Sequence, residues 1–227
     1  MREADAMRRQ SVLLPRALRT RSVAIHPSGD DVDVVFLLHG VLATAGVFGP
    51  LEEHLRRAGI DHVASFTYHP LRTVPSLARE LRREVMRVPV RARIHLVGHS
   101  LGGIVARWFV QECGGAGRVE QTISLASPFG GTELARWVPV ELARELSPGS
   151  PLLARLSEPA RQPRNVRHTS FVAERDAVVV PPMSAAFPFG EVIVVPDVGH
   201  NGMLFEPSVA AAVVARVLSA GAATRAA

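Results

Sequence analysis

Six short apolar runs rich in β-branched residues recur along the chain and constrain its fold more than any other feature. They read DVDVVFLLHG, HVASFTY, RIHLVG, RVEQTISLAS, RHTSFVAE and GEVIVVPD. Continuous runs of this length are typical of strands buried on both faces. Between them, segments such as SLARELRREVMRV carry apolar residues every three or four positions, which predicts amphipathic helices. This alternation predicts an α/β fold, with a mostly parallel sheet and helices on both faces.

The domain organisation follows from length and from breaks in this pattern. A chain of 227 residues is long enough for one well-buried core. Residues 1–22 are charged and aperiodic, so we expect an N-terminal arm followed by one domain over residues 23–227. Residues 130–164 contain helical pieces cut by prolines and no strand run. This segment is interpreted either as a short helical cap or lid over a site or as a surface connector.

Composition limits the partners of the chain. Its formal net charge is +5 and its aromatic content is 5%, with no recognisable nucleic-acid-binding module, so we expect no nucleic-acid partner. The arginine-rich N-terminus leaves a transient contact with a membrane or lipid surface as an alternative. The longest apolar stretch at the N-terminus, Val12 to Pro15, is too short for a signal-peptide core, and no window is long enough for a spanning helix, so we expect a cytoplasmic protein. Cys113 is the single cysteine, which excludes an internal disulfide and a cysteine-based metal site.

A G-x-S-x-G pattern formed by Gly98, Ser100 and Gly102 lies directly between an apolar run and a helical run. A serine on a sharp turn from strand to helix requires small neighbours, because its backbone approaches the adjacent elements closely. The start of the helix also supplies free N–H groups where an oxyanion would develop. The pattern therefore predicts that Ser100 is a nucleophile.

At motif level, residues 32–220 resemble the α/β-hydrolase family, within it the small bacterial lipases and esterases of triacylglycerol-lipase type. The resemblance rests on VVFLLHGVLA, LVGHSLGG, SLASPFGGT, SPGSPLL, ERDAVVVP and PDVGHNGML. It implies an α/β-hydrolase fold and a serine hydrolase that cleaves small-molecule or lipid acyl esters through an acyl-enzyme, without cofactor or metal. An acyltransferase, a thioesterase or a phospholipase with the same triad is an alternative. A catalytically silent fold that serves as a binding module is an alternative of another class.

The chain order of this fold places the acid and then the histidine after the nucleophile. Only His168 and His200 follow the nucleophile in the sequence. His200, in a glycine-flanked turn after EVIVV, is the predicted base, whereas His168 lies within a strand run and is interpreted as structural. Asp176, in RDAVVVP, is the predicted acid that orients the base. Glu174 and Asp197 are the alternatives for that role.

Two backbone N–H groups are predicted to hold the oxyanion. One belongs to Leu101, the residue after the nucleophile, and the resemblance assigns the other to Val41, with Leu42 as an alternative. His99 precedes the nucleophile directly, but the sharp turn directs its side chain elsewhere, so we expect it to pack or hydrogen-bond beside the site. The expected site-shaping residues are His39, Gly40, Gly98, His99 and Gly102.

Overall fold

The computed structural model describes residues 32–41, 43–68 and 72–225, so the predicted arm over residues 1–22 lies outside the described residues. Six strands occur in these ranges: β1 (Asp33–Leu38), β2 (His62–Phe66), β3 (Arg93–His99), β4 (Val119–Leu125), β5 (Arg167–Ala173) and β6 (Glu191–Val195). They pair in parallel in the order β2-β1-β3-β4-β5-β6. Each of the six apolar runs therefore forms a strand, and the predicted α/β fold class is confirmed.

Helices cover both faces of the sheet. They are α1 (Gly49–Arg57), α2 (Val74–Val85), α3 (Leu101–Glu112), α4 (Glu141–Glu145), α5 (Pro151–Leu156) and α6 (Pro207–Arg225). One apolar cluster joins α2, α3, α4 and α5 to the sheet, and a second joins α1 and α6 to the opposite face. Among the described residues, no helix is both long and apolar enough to cross a bilayer.

Alternation along β1 shows why the strand runs are apolar throughout. Val34, Phe36 and Leu38 face the cluster that contains α2 and α3. Val35 and Leu37 face the cluster that contains α1 and α6. Because successive strand residues point to opposite faces and both faces are covered, neither set contacts water.

The segment GVFGPLEEHLRRAG forms helical structure in two parts. A 3-10 turn over Ala45–Phe48 precedes α1, in which Pro50 occupies the first turn. Proline lacks an N–H group and fits the first turn of a helix, so it starts a new helix there. The helix ends before Gly59, whose φ of +82° is a left-handed conformation that favours glycine.

Glycines let α3 lie directly on the backbone of the sheet. A Cβ atom on Gly102 would lie 2.0 Å from the carbonyl oxygen of Leu38 in β1. A Cβ atom on Gly98 would lie 2.3 Å from the backbone of Gly102 and Gly103. These are backbone atoms that have little freedom to yield. The first turn of α3 is therefore held against β1 and β3, and with it the residue that joins β3 to α3.

The segment 130–164 contains helical pieces between β4 and β5, as the sequence predicts. A 3-10 turn over Glu133–Trp137 leads to α4 and α5. The leucines of α4 and α5 are buried in the cluster of α2 and α3, and Glu145 accepts a 2.7 Å hydrogen bond from the Val74 amide at the start of α2. The segment is thus anchored to the helical layer on this face of the sheet.

A charged network holds the amino ends of the central strands together. Asp33 in β1 accepts two hydrogen bonds from Arg93 in β3, at 2.8 and 3.0 Å, and one from His95 at 2.9 Å. Burial alone would raise the pKa of the Asp33 carboxyl, but the hydrogen bonds from His95 and Arg93 lower it to about 2. The network therefore stabilises the fold only while Asp33 is ionised.

We expect Asp33→Asn to lower the free energy of unfolding by about 2 kcal/mol at neutral pH. Since the pKa of Asp33 is lower in the folded than in the unfolded chain, its contribution is present above about pH 4 and is lost as the pH falls to about 2. Urea unfolding at both pH extremes measures this, with the exposed Asp61→Asn as control. A difference from wild type that stays constant down to about pH 2 would contradict the assignment.

Candidate active site

Ser100 lies on the turn between β3 and α3 in a strained conformation. Its φ of +54° and ψ of −122° fall where L residues rarely occur. The Ser100 amide donates a 2.9 Å hydrogen bond to the carbonyl of Leu125 at the end of β4. The close packing of Gly98 and Gly102 holds the turn in place, so the serine projects at the carboxyl edge of the sheet.

The loop after β1 lies against this serine. A Cβ atom on Gly40 would be 3.0 Å from Cβ and 3.5 Å from Oγ of Ser100. The amides of Val41 and Leu101 donate no hydrogen bond to any residue in the described ranges. Two unpaired N–H groups therefore flank the serine, one at the Gly40 turn and one at the start of α3. Leu42, the alternative donor, lies outside the described residues.

His39 supports this loop by hydrogen bonding. Its buried ring donates through Nδ1 to the carbonyl of Gly40 at 2.8 Å and stacks on Tyr68 with ring centroids 4.1 Å apart. The Tyr68 hydroxyl donates to the His39 carbonyl. Burial lowers the pKa of His39, although the Gly40 carbonyl opposes this. A neutral His39 thus fixes the turn from two sides.

Asp176 and His200 form a buried hydrogen-bonded pair. His200 Nδ1 lies 2.8 Å from Asp176 Oδ2, and the side chains are 5% and 1% exposed, respectively. The other oxygen, Asp176 Oδ1, accepts 2.8 Å hydrogen bonds from the amides of Val178 and Val179. Because a carboxylate only accepts, the proton of the ring lies on Nδ1 and its Nε2 is free to accept. Asp176 therefore fixes both the tautomer and the orientation of His200.

The alternative residues have other contacts. Asp197 forms a surface ion pair with Arg175, and its φ of +59° shapes the turn before His200. The Glu174 carboxylate accepts a 2.9 Å hydrogen bond from the Asp197 amide. His168, the other downstream histidine, is buried in β5, where its ring bonds the hydroxyls of Thr122 in β4 and Ser170 in β5. Among the described residues, only Asp176 bonds the ring of His200.

His99 connects the loop of His200 to the turn of Ser100. Its Nε2 donates to the backbone carbonyl of His200 at 3.1 Å, and the two ring centroids are 4.7 Å apart. Burial, followed by repulsion from His200, lowers the pKa of His99 well below its usual value. His99 is therefore neutral, and its side chain contacts the neighbouring loop.

Not every sequence-predicted contact is formed. The Ser100 hydroxyl makes no hydrogen bond with His200 or with any other residue of the described ranges. The structure brings together Asp176, His200 and His99 through hydrogen bonds. Gly40 packs against both Ser100 and His99, since a Cβ atom on it would lie 3.0 Å from Ser100 Cβ and 3.3 Å from His99 Nδ1.

Sequence reasoning missed two supporting residues. Tyr68 stacks on His39. The sequence feature that could have indicated it is that Tyr68 is the single tyrosine of the chain and follows directly after a strand run. Thr132, which follows β4, donates to the Val178 carbonyl at 2.6 Å and accepts from the Val180 amide at 3.1 Å. Thr132 thereby holds the loop that carries Asp176. No local pattern predicts that bridge, since it joins positions 48 residues apart.

Comparison with protein families gives one match within the chain. A family model described as "Domain of unknown function (DUF7379)" matches residues 14–143. The chain belongs to this family. The matched range of this DUF7379 chain includes the loop at Gly40 and the turn at Ser100, whereas Asp176 and His200 lie beyond it. A search of curated protein sequences finds no match.

Solved structures resemble the DUF7379 chain at low sequence identity. Bacillus licheniformis lipase BlEst2 in its propeptide form has a TM-score of 0.65 at 12% identity, over 85% of this chain and 52% of its own. Aspergillus fumigatus lipase B has a TM-score of 0.64 at 17% identity, over 81% and 52%. A Listeria innocua gene product has 0.62 at 13%, over 81% and 92%. The chain thus spans about half the length of the two lipases, and it has the α/β-hydrolase fold.

We expect His99→Phe to lower the free energy of unfolding by about 1–3 kcal/mol, because the carbonyl of His200 loses its buried donor. His99→Gln retains an N–H donor and is expected to lose less. Urea unfolding at neutral pH measures both variants. Equal losses in the two would show that ring packing, and not the hydrogen bond, carries the effect.

Proposed function

We propose that this chain is a serine hydrolase that cleaves carboxylic esters, as lipases and esterases do. The observation that supports it most is the buried hydrogen bond between Asp176 and His200. His99 connects this pair to the strained turn of Ser100. An acid, a base and a serine on a strand-to-helix turn occur here in the chain order of the fold.

In this proposal Ser100 Oγ attacks the acyl carbon while His200 Nε2 takes its proton. Asp176 stabilises the resulting imidazolium through the Nδ1–H bond. Catalytic hydrogen bonds are often long in an unliganded site and shorten when substrate binds. The contact between Ser100 and His200 is accordingly expected to form in the substrate complex.

The amides of Val41 and Leu101, which have no partner among the described residues, would hold the oxygen of the tetrahedral intermediate. Their positions on either side of the serine support this role. His200 then protonates the leaving alcohol and activates the water that releases the acid. The proposed cycle uses only these side chains, backbone amides and water.

The proposed substrates are acyl esters of small molecules or lipids. Two of the similar structures are named as lipases, which supports this substrate class. Turnover of p-nitrophenyl esters from acetate to palmitate measures the preferred acyl length.

Ser100→Ala is expected to lower p-nitrophenyl acetate turnover by about 10³-fold or more and to abolish labelling by a fluorophosphonate. The exposed Ser208→Ala is the matched control and should retain both. Circular dichroism verifies that both variants are folded. Undiminished turnover in folded Ser100→Ala would refute the mechanism, whereas a wild type with neither turnover nor labelling would favour the silent binding module.

The segment 130–164 is proposed as the cap of this site. Its Thr132 is hydrogen-bonded to the loop of Asp176, and three apolar side chains close behind it are exposed. These are Leu134, Trp137 and Val138, at 47%, 85% and 48% exposure. Exposed apolar groups of this kind mark a surface that contacts ligand, lipid or protein. Beside an ester-cleaving site they would contact the acyl substrate.

We expect Trp137→Ser to lower turnover of an emulsified long-chain ester by about tenfold, because an apolar contact of that size is lost. Turnover of the soluble acetate ester should be unchanged. Val90→Ser provides the control, since Val90 is 86% exposed but lies before β3, at the opposite edge of the sheet. An equal loss in both variants, or on both substrates, would show that the segment is only a connector.

A further inference from the structure

Arg107 is a buried cation outside the candidate active site. It lies in the middle of α3, and 2% of its surface is exposed. Buried charges in proteins are normally paired with an opposite charge, because removing an ion from water costs several kcal/mol. No carboxylate of the described residues lies within ion-pair distance of Arg107.

The contacts of this guanidinium group are all neutral. Nη2 donates to Gln162 Oε1 at 3.0 Å, and Nη1 makes a long contact of 3.4 Å with Thr122 Oγ1. The guanidinium carbon lies 4.8 Å from the ring centre of Phe187. Nε is buried and has no hydrogen-bond partner among the described residues. The group therefore has unused donors on a planar cation.

The surroundings do not neutralise this charge. Burial lowers the pKa of Arg107 only to about 10, so the group is cationic at neutral pH. The neighbouring His168 is neutral, because burial and then repulsion from Arg107 lower its pKa well below the usual value. Gln162 turns its uncharged Oε1 to Arg107, since its Nε2 donates to the carbonyls of Leu156 and Glu158, and it supplies no counter-charge.

Arg107 lines an open cavity of about 460 Å³. This volume lies within the range of about 300–1,000 Å³ of small-molecule sites. Arg167 and Arg216 also line it, together with one carboxylate, Glu191, that is held by Arg216 at 2.7 Å. Arg167 in turn pairs with Glu120 at 2.8 Å, so Arg107 is the lining cation that no carboxylate of the described residues neutralises. Apolar walls are supplied by Pro163, Val166 and Phe189.

We propose that this cavity binds a small organic carboxylate, whose oxygens pair with the buried guanidinium of Arg107. A carboxylate matches the planar, two-donor edge of a guanidinium, and such pairs are stronger than neutral hydrogen bonds. The apolar walls accommodate a short hydrocarbon chain attached to it. The anion supplies the counter-charge that the described residues leave missing.

The cavity is separate from the candidate active site. Arg167 and Glu191 begin β5 and β6, so the cavity opens at the amino ends of these strands. Ser100 lies at the carboxyl end of β3, at the opposite edge. Arg107 is seven residues along α3, or about 10 Å of helix. Binding here does not rest on the proposed function, and Ser100→Ala is expected to bind the same anion as wild type.

Thermal unfolding of the full chain in sodium butyrate, against sodium chloride at equal ionic strength, tests the proposal. Wild type and Ser100→Ala are expected to show a saturable rise in Tm. Arg107→Met replaces the guanidinium group with an unbranched apolar side chain. This variant should bind butyrate at least about tenfold more weakly than wild type. Arg87→Met, whose side chain in wild type is 72% exposed, is the matched control and should respond like wild type.

A second measurement does not depend on how the Arg107 variant folds. In wild type labelled with ¹⁵N-arginine, the Nε–Hε resonance of Arg107 is assigned from its through-space NMR contacts with the Phe187 ring. Butyrate should shift this resonance. The same experiment with inorganic phosphate separates the two classes of oxyanion. No saturable shift, an equal response in Arg107→Met, or a preference for phosphate over butyrate would each overturn the proposal.

Discussion

The direct contact of the first turn of α3 with the backbone of β1 and β3 is the constraint on which the candidate site depends. It exists because Gly98 and Gly102 have no Cβ atom, so that the Leu38 carbonyl occupies the space where a side chain would begin. That contact holds Ser100 at a positive φ and aligns the free amide at the start of α3 beside it. The Gly40 loop then closes the other side. If α3 packed less closely on the sheet, the same residues would follow one another in the sequence, but they would not lie next to each other in the fold.

Hydrogen-bond partners, and not proximity in sequence, distinguish the three histidines around this junction. His39 bonds the Gly40 turn, and His99 bonds the carbonyl of His200. Burial keeps both neutral, so neither competes for the proton that a base would carry. Of the three, His200 is the one whose ring bonds a carboxylate, and its Nε2 has no partner among the described residues. Three imidazole rings therefore lie at one edge of the sheet, and each has a different hydrogen-bond partner.

Local patterns were sufficient to predict the strands, the long helices and the turn at Ser100, because apolar period and glycine spacing act within a few residues. His200 was predicted from chain order and its glycine-flanked turn, and Asp176 from the resemblance of ERDAVVVP to the hydrolase family. The catalytic roles of both stay predictions. The stacking of Tyr68 and the bridge from Thr132 were not predicted, because they join distant segments. The burial of Arg107 was also not predictable from LGGIVARWFV, because the position of Arg107 on α3 does not show that other parts of the chain cover it.

The separation of the candidate residues in the sequence also determines at what stage of folding the site is assembled. Ser100 and His200 stand one hundred positions apart, and β4, β5 and β6 must pair in sequence before the last loop reaches the turn of α3. Contacts of such long range form late in folding, since much chain entropy is lost before they are made. A chain still leaving the ribosome thus carries Ser100 without its proposed base. The hydrolase proposed here would be chemically silent until synthesis and folding have passed β6.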